Sequence, residues 1–373
     1  MLATIIILDR VNVVISGLRE SDITSLSDMF AVYAKGYRHQ ARYKLGLWDG
    51  KIRFFHRDGK TYYKLLPDII KYLKSQNYRM EVIDNRKKVR KNPIPVIDEN
   101  FLKDKGFNIV LGDHQVRGVN ALTQSTVGGI FEGGTGAGKT IMTAILCHLY
   151  EEYQSYKCIV IVPTSDLIDQ TQEELREYGV DVGQYGGGLK DIAHTHVVST
   201  WQSLQNNKGL IGQFQTVIVD ECHGVTGAVL QEILNTHGSE CYVRLGLTGT
   251  IPEEDIDRMS VTITLGNVLE KVEASELIAS GWLAELKLYC YELEEDVRNE
   301  YQEFCEHYPN EAANLSYKDY KKDFVGDYQA EKKYLQKKQE RLEFLAKLIS
   351  KPSKNTLVLV PNVEFGRRIS KLC

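Results

Sequence analysis

Apolar positions set two different rhythms along the chain. Residues 3–15 (ATIIILDRVNVVI) are β-branched and read as strand. Leu18, Leu26, Met29, Phe30 and Tyr33 then fit one face of an amphipathic helix over 18–34. Two aromatic runs, 51–56 and 60–66, flank Arg57-Asp58-Gly59, and the Asp-Gly pair predicts a hairpin between them. A helix at 68–76 and a strand at 79–83 complete a small α+β unit spanning 1–90. The prolines and clustered cations of 85–98 argue against a packed element, which places a linker at 91–105.

From residue 106 the rhythm changes. Short β-branched runs at 158–162, 195–199, 216–220 and 243–247 alternate with helical stretches such as 139–153 and 165–177. That alternation predicts a mostly parallel sheet covered by helices, so 106–290 reads as an α/β domain. Residues 291–350 are charged, Tyr-rich and helical in composition, as a linker or insertion would be. A strand at 355–360 (NTLVLV) would open a further α/β unit over 351–373.

Composition narrows the setting. The apolar fraction of 43% is ample for a core, and the longest apolar runs fall far below the ~20 residues that span a bilayer. The N-terminus has no basic region ahead of its apolar stretch, so a signal peptide is not expected. Seven cysteines with no CxxC pair suit a reducing cytoplasm and give no metal or disulfide framework. Charge is unevenly shared: residues 1–105 hold 21 Lys and Arg against 12 Asp and Glu, and the rest hold 25 against 38. A basic unit joined to an acidic body points to a polyanionic partner at the N-terminal end.

The chemistry concentrates in Gly133-Gly134-Thr135-Gly136-Ala137-Gly138-Lys139-Thr140, a GxxxxGKT sequence opening the apolar helix that follows. Its glycines let backbone N–H groups curve around phosphate oxygens, and the helix N-terminus adds positive potential. Lys139 would reach the β- and γ-phosphates of ATP, and the Thr140 hydroxyl would ligate Mg²⁺. The apolar run 216–219 ends in Asp220-Glu221-Cys222-His223, 81 residues after Lys139. Asp220 is placed to hold the Mg²⁺ shell. Glu221 is placed to orient or deprotonate an attacking water.

With these two motifs the chain resembles superfamily 2 helicases. Gln115, in Asp113-His114-Gln115, matches the family's adenine-reading glutamine, with His114 where an aromatic is common. Val162-Pro163-Thr164 and Ser199-Thr200-Trp201-Gln202-Ser203 resemble its strand-contacting loops, which implies DNA contacts for Thr164, Thr200 and Gln202. His223 completes the family's catalytic set. Gly246-Leu247-Thr248-Gly249-Thr250 resembles the motif coupling hydrolysis to strand movement, with Thr248 and Thr250 as the coupling residues and Gly249 where alanine is usual. Gly36-Tyr37-Arg38, Arg42-Tyr43, Gly46 and Trp48-Asp49-Gly50-Lys51-Ile52-Arg53 are similar to the leading domain of phage UvsW-type recombination helicases.

The resemblance implies a RecA-like motor over 106–290, a basic DNA-binding domain ahead of it and the start of a second RecA-like domain at the end. It also implies ATP and Mg²⁺ as cofactors, and branched or forked DNA as partner. Cations interleaved with rings suit a surface that grips phosphates and stacks on bases. Arg38, Arg42 and Arg53 are first choices there, with Lys44, Trp48 and Lys51, although Trp48, Phe54 and Phe55 would equally serve as the small domain's core. The expected function is remodelling of forks, Holliday junctions, R-loops and D-loops in recombination, repair or replication. A monomer is expected, working in the host cytoplasm if phage-encoded, alongside other recombination or replication proteins. A double-strand translocase, an RNA helicase and a nucleotide-gated binding module stay open as alternatives. The chain stops before an arginine-finger motif, so it is expected to be a fragment that binds ATP weakly, binds DNA and hydrolyses poorly.

Overall fold

The computed structural model describes residues 1–88, 92–125, 128–285, 339–351 and 357–373. The N-terminal part runs β1 (Leu2–Ile7), β2 (Asn12–Ser16), α1 (Glu20–Met29), β3 (Ala31–Tyr33), α2 (Ala41–Lys44), β4 (Lys51–Arg53), β5 (Lys60–Tyr62), α3 (Leu66–Ser75) and β6 (Arg79–Asp84). Residues 3–15 are therefore two strands, not one. The Asp9 carboxylate accepts the N–H groups of Val11 and Asn12 at 2.7 Å each, which turns the chain back on itself. The helix expected over 18–34 stops at Met29, and its last residues become β3. The hairpin expected between 51–56 and 60–66 does not form: β4 pairs with β3, while β5 pairs with β2 in a sheet ordered β5-β2-β1-β6. The Asp58-Gly59 turn is present, but Phe54 and Phe55 are drawn into the core and separate the two strands.

The second part runs α4 (Phe101–Asp104), α5 (Asp113–Gln124), β7 (Gly129–Gly133), α6 (Lys139–Gln154), β8 (Cys158–Val162), α7 (Asp166–Glu177), β9 (Val182–Gly186), β10 (Leu189–Asp191), β11 (His196–Thr200), α8 (Trp201–Gln205), β12 (Thr216–Asp220), α9 (Ala228–Glu232), β13 (Val243–Thr248), α10 (Asp255–Leu265), β14 (Val268–Val272) and α11 (Ala274–Ala279). Its sheet has the order β10-β9-β11-β8-β12-β13-β7-β14, parallel throughout except for β10. Every residue of β8 and β11 is buried, because helices cover both faces and leave no solvated side. One core lies on the α5, α6 and α7 side, and a second lies under α8, α9 and α10.

The linker expected at 91–105 is packed against the first of these cores. Ile97 and Leu102 are buried there, and Asn120 holds the Ile97 backbone through both ends of its amide. Ile94 between the prolines, with Ile97 and Leu102 after them, outweighed the composition that suggested a free segment. The two sheets also share packing. Ile263 of α10 enters the N-terminal core, with Ile256 and Met259 against it, and residues 1–286 form one compact unit. A cavity of about 330 Å³ lies along that seam, lined by Ile5, Ile7, Tyr63, Lys64, Leu66, Ile70 and Leu269 among others.

The second unit, 287–373, is described only in part. Helices Gln339–Ile349 and Val363–Ser370 are formed, and the Asn362 side chain caps the latter by accepting the Phe365 N–H at 2.8 Å. Residues 357–360 carry no strand, with Leu357 and Leu359 exposed and no strand beside them among the described residues. Residues 355 and 356 of that expected strand, and nearly all of the 291–350 insertion ahead of Gln339, lie outside the described residues. No helix is long and apolar enough to cross a membrane among those described.

Burial, reinforced by the nearby Arg244 charge, pulls the Lys64 ammonium at the seam down to about 7. The folded chain thus gives up a proton that the unfolded chain holds up to about 10.5. Stability should therefore rise as pH climbs from 7 toward 10.5, with the penalty complete below 7. Lys64→Met should flatten this rise, as read from urea midpoints at neutral pH and at about pH 9.

Candidate nucleotide site and nucleic-acid face

The loop 133–140 joins the carboxyl end of β7 to α6, at the end of a parallel sheet where side chains escape the helical cover. Gly138 holds φ +74°, and a Cβ there would sit 2.2 Å from Gln115 Nε2, so both backbone and space demand glycine. Lys139 Nζ donates to the Gly133 carbonyl at 3.4 Å and lies 3.3 Å from Glu221 Oε1. Thr135 and Gly136 are exposed, Ala137 is buried, and Gly134 and Thr140 are half-buried.

Asp220 and Glu221 extend from the carboxyl end of β12 beside this loop. Asp220 Oδ1 is buried with no hydrogen-bond partner among the described residues. Burial, with the Glu221 charge adding to it, raises the Asp220 carboxyl above its ordinary value. Glu221 sits at φ +47°, a conformation costly for any residue with a side chain. His223 Nδ1 is 3.2 Å from Glu221 Oε2 and 3.0 Å from Thr248 Oγ1. The Thr248 hydroxyl donates to the Thr250 carbonyl at 2.9 Å, so the hydrogen between His223 and Thr248 belongs to the imidazole. Thr248 is fully buried and Thr250 is exposed. A chain of contacts thus runs from Lys139 through Glu221, His223 and Thr248 to Thr250, across the ends of three neighbouring strands.

Gly249 departs from the expected alanine without consequence in space. A Cβ there would meet only Gly134 Cα, at 3.7 Å, an ordinary contact.

Gln115 stands behind the loop. It is buried, its Oε1 accepts the Gly112 N–H at 2.9 Å and its Nε2 donates to the Ala137 carbonyl at 3.3 Å. Both ends of the amide hold backbone and so brace the loop. His114 does the same from the next position, with Nε2 3.1 Å from the Ala137 carbonyl. Burial lowers its imidazole from the ordinary value. Two neighbours of the loop had no signal in the sequence. Trp282 meets the His114 ring edge-on at 5.3 Å, and Leu283 leaves no room for a side chain at Gly136.

The basic residues divide. Arg53 pairs with Asp49 and Asp28, at 2.5 and 3.2 Å. Arg53 holds the Asp49 carboxyl down to about 2, with the Lys51 backbone N–H assisting. Arg38 donates to the Tyr37 hydroxyl at 3.1 Å, and Lys51 lies over the Tyr33 ring at 5.3 Å. Trp48 is half-buried, its indole N–H donating to the Lys51 carbonyl at 2.9 Å. Arg42 and Lys44 are exposed and make no ion pair among the described residues. On the sheet end, Thr164 and Gln202 are exposed. Thr200 is buried and its hydroxyl accepts the Ser203 N–H at 3.2 Å as the cap of α8.

Two family descriptions match the chain: "DNA helicase UvsW, N-terminal" over residues 7–84, and "Type III restriction enzyme, res subunit" over 73–253. The ATP-dependent DNA helicase uvsW of Enterobacteria phage T4 is 26% identical, aligned over 95% of this chain and 69% of its own length. Over most of its length the chain is thus similar to UvsW-type superfamily 2 helicases. A second relative, the DNA 3'-5' translocase XPB2 of Sulfurisphaera tokodaii, is 27% identical over 58% of this chain and 47% of its own. Two crystal structures of the T4 helicase share the fold of this chain. One aligns with TM-score 0.59 and 23% identity over 72% of this chain and all of its own. The other aligns with TM-score 0.57 and 22% identity over all of this chain and 72% of its own.

Gly138→Ala should cost about 1–3 kcal/mol in urea unfolding, while Gly249→Ala should stay within about 0.5 kcal/mol of the parent. Asp220→Asn should raise the unfolding midpoint at neutral pH, since the buried charge is a cost to the folded state. That gain should fade as pH falls toward 3.8, where the unfolded carboxyl is itself protonated.

Proposed function

We propose that the chain is the motor of an ATP-dependent DNA helicase or translocase that remodels branched DNA. The observation that carries this reading is the contact chain from Lys139 to Thr250. It joins a phosphate-binding loop to a carboxylate pair and on to an exposed threonine at the same sheet end. In this reading the loop's backbone N–H groups and Lys139 hold the triphosphate, and Lys139 leaves Glu221 for the γ-phosphate as nucleotide enters. Glu221, released from that pair, orients the attacking water and takes its proton. His223 and Thr248 carry the resulting shift to Thr250 and so to the bound strand.

Mg²⁺ would be held by the Thr140 hydroxyl and Asp220, and there it would neutralise charge on the β- and γ-phosphates. The unpartnered, buried Oδ1 of Asp220 fits that assignment. Arg38, Arg42, Lys44 and Lys51 would face the DNA backbone from the N-terminal part, with Thr164 and Gln202 contacting it from the sheet end. The name of the T4 relative, a DNA helicase, supports DNA over RNA.

A double-strand translocase is the second reading. It is favoured by the restriction-enzyme match over 73–253 and by the relative named a translocase. Displacement of a triplex strand without fork unwinding would decide for it.

Lys139→Ala should weaken ATP binding by about tenfold or more in calorimetry, as the loss of one charge-assisted phosphate contact. Glu221→Gln should leave ATP binding nearly unchanged and slow single-turnover hydrolysis by about 10²–10⁴-fold. Unaltered hydrolysis in Glu221→Gln would remove the base from Glu221 and sink the mechanism.

A further inference from the structure

Leu45 and Leu47 are each 71% exposed, and no large apolar side chain described within residues 1–285 is more so. They flank Gly46, which takes φ +69° in the turn that ends α2. The turn is fixed by three backbone hydrogen bonds: Leu45 N–H to Ala41, Gly46 N–H to Tyr43 and Leu47 N–H to Arg42, at 2.9, 3.0 and 2.9 Å. Nothing lies within 4 Å of a Cβ built at Gly46, so the tip stands clear of the body.

Its base is stiff. Tyr33 and Tyr37 stack at 4.5 Å, and Tyr43 meets Tyr37 edge-on at 4.9 Å. An open groove beside the tip is lined by Arg38, Tyr43, Lys44, Leu47 and Trp48. The one acid in that lining, Asp49, is already paired with Arg53. The result is a rigid apolar knuckle within a ring of cations.

Such a knuckle fits a partner that is apolar at its centre and anionic at its rim. A step between stacked bases, bordered by phosphates on both strands, has that composition, and proteins open such steps with leucine-type wedges. Unstacking costs a few kcal/mol and costs least where the pair is already at the end of a duplex. We propose that Leu45-Gly46-Leu47 is a wedge that presses against the terminal base pair at a junction of duplex and single strands. Arg42 and Lys44 grip the flanking phosphates. The proposal rests on the DNA reading above and deepens it, by naming the part that makes the protein sense the branch point.

The test uses the whole 373-residue chain without ATP. A forked duplex carries 2-aminopurine at its last paired position and a dye at a distant end. Binding is read by anisotropy and unstacking by 2-aminopurine emission. The parent chain should brighten the base about twofold or more at saturation. Leu45→Ser/Leu47→Ser should bind an uninterrupted duplex within about threefold of the parent, with the same salt slope, and lose the brightening. Arg42→Gln/Lys44→Gln should weaken binding to every DNA and lower the salt slope by about 2. Binding without brightening, or undiminished brightening in the leucine variant, would overturn the wedge alone. The second result is also what a protein-docking role for the leucines would give. Failure of the parent chain to bind any DNA would overturn the underlying DNA reading together with it.

Discussion

A parallel sheet buried on both faces leaves polar chemistry one place to go. Strands β8, β11 and β13 are buried along their whole length, and β7 and β12 nearly so. Apart from Arg244, whose guanidinium is buried on backbone carbonyls and Asn235, the charged side chains of the site stand where the strands end and the helical cover opens. Lys139, Asp220, Glu221 and Thr248 all lie at the carboxyl ends of neighbouring strands, brought together by the pairing of β7, β13 and β12. The register of those pairs, set by the apolar runs, therefore sets the geometry of the site.

That placement holds the site away from its own stability optimum. Asp220 is partly desolvated, with one oxygen lacking a partner among the described residues, and Glu221 adopts a backbone conformation that only surrounding contacts can maintain. The Lys139–Glu221 pair and the His223–Thr248 bond offset part of this cost. Gln115 and His114, both buried, reach the Ala137 carbonyl and tie the loop to α5. Strain and unspent polar atoms concentrated on one site are what a pre-organised phosphate pocket requires.

The N-terminal part contributes positive charge only after internal pairing has consumed some of it. Arg53 is neutralised by Asp49 and Asp28, and Lys35 lies beside Glu254 and Asp257. Arg42 and Lys44 remain outward, next to the apolar tip. Because Ile263 joins the N-terminal core from α10, this surface is carried on the same compact unit as the nucleotide loop.

The sequence by itself determined the phosphate loop, the Asp220-Glu221 pair and the alternating α/β order. Each of these depends on residues close together in the chain, where backbone conformation and apolar period act locally. It also determined the basic character of the first hundred residues. Only the tertiary structure decided which cations stay free, since Arg53 meets Asp28 across 25 positions. The same holds for the pairing of β4 with β3 in place of β5, for Thr200 as a cap and for Gln115 as a brace. It also holds for the meeting of Cys147, Cys158 and His196 beneath the sheet, where both ring nitrogens of the histidine are engaged. Those outcomes turn on which surfaces are buried together, a competition among distant residues that no local spacing records.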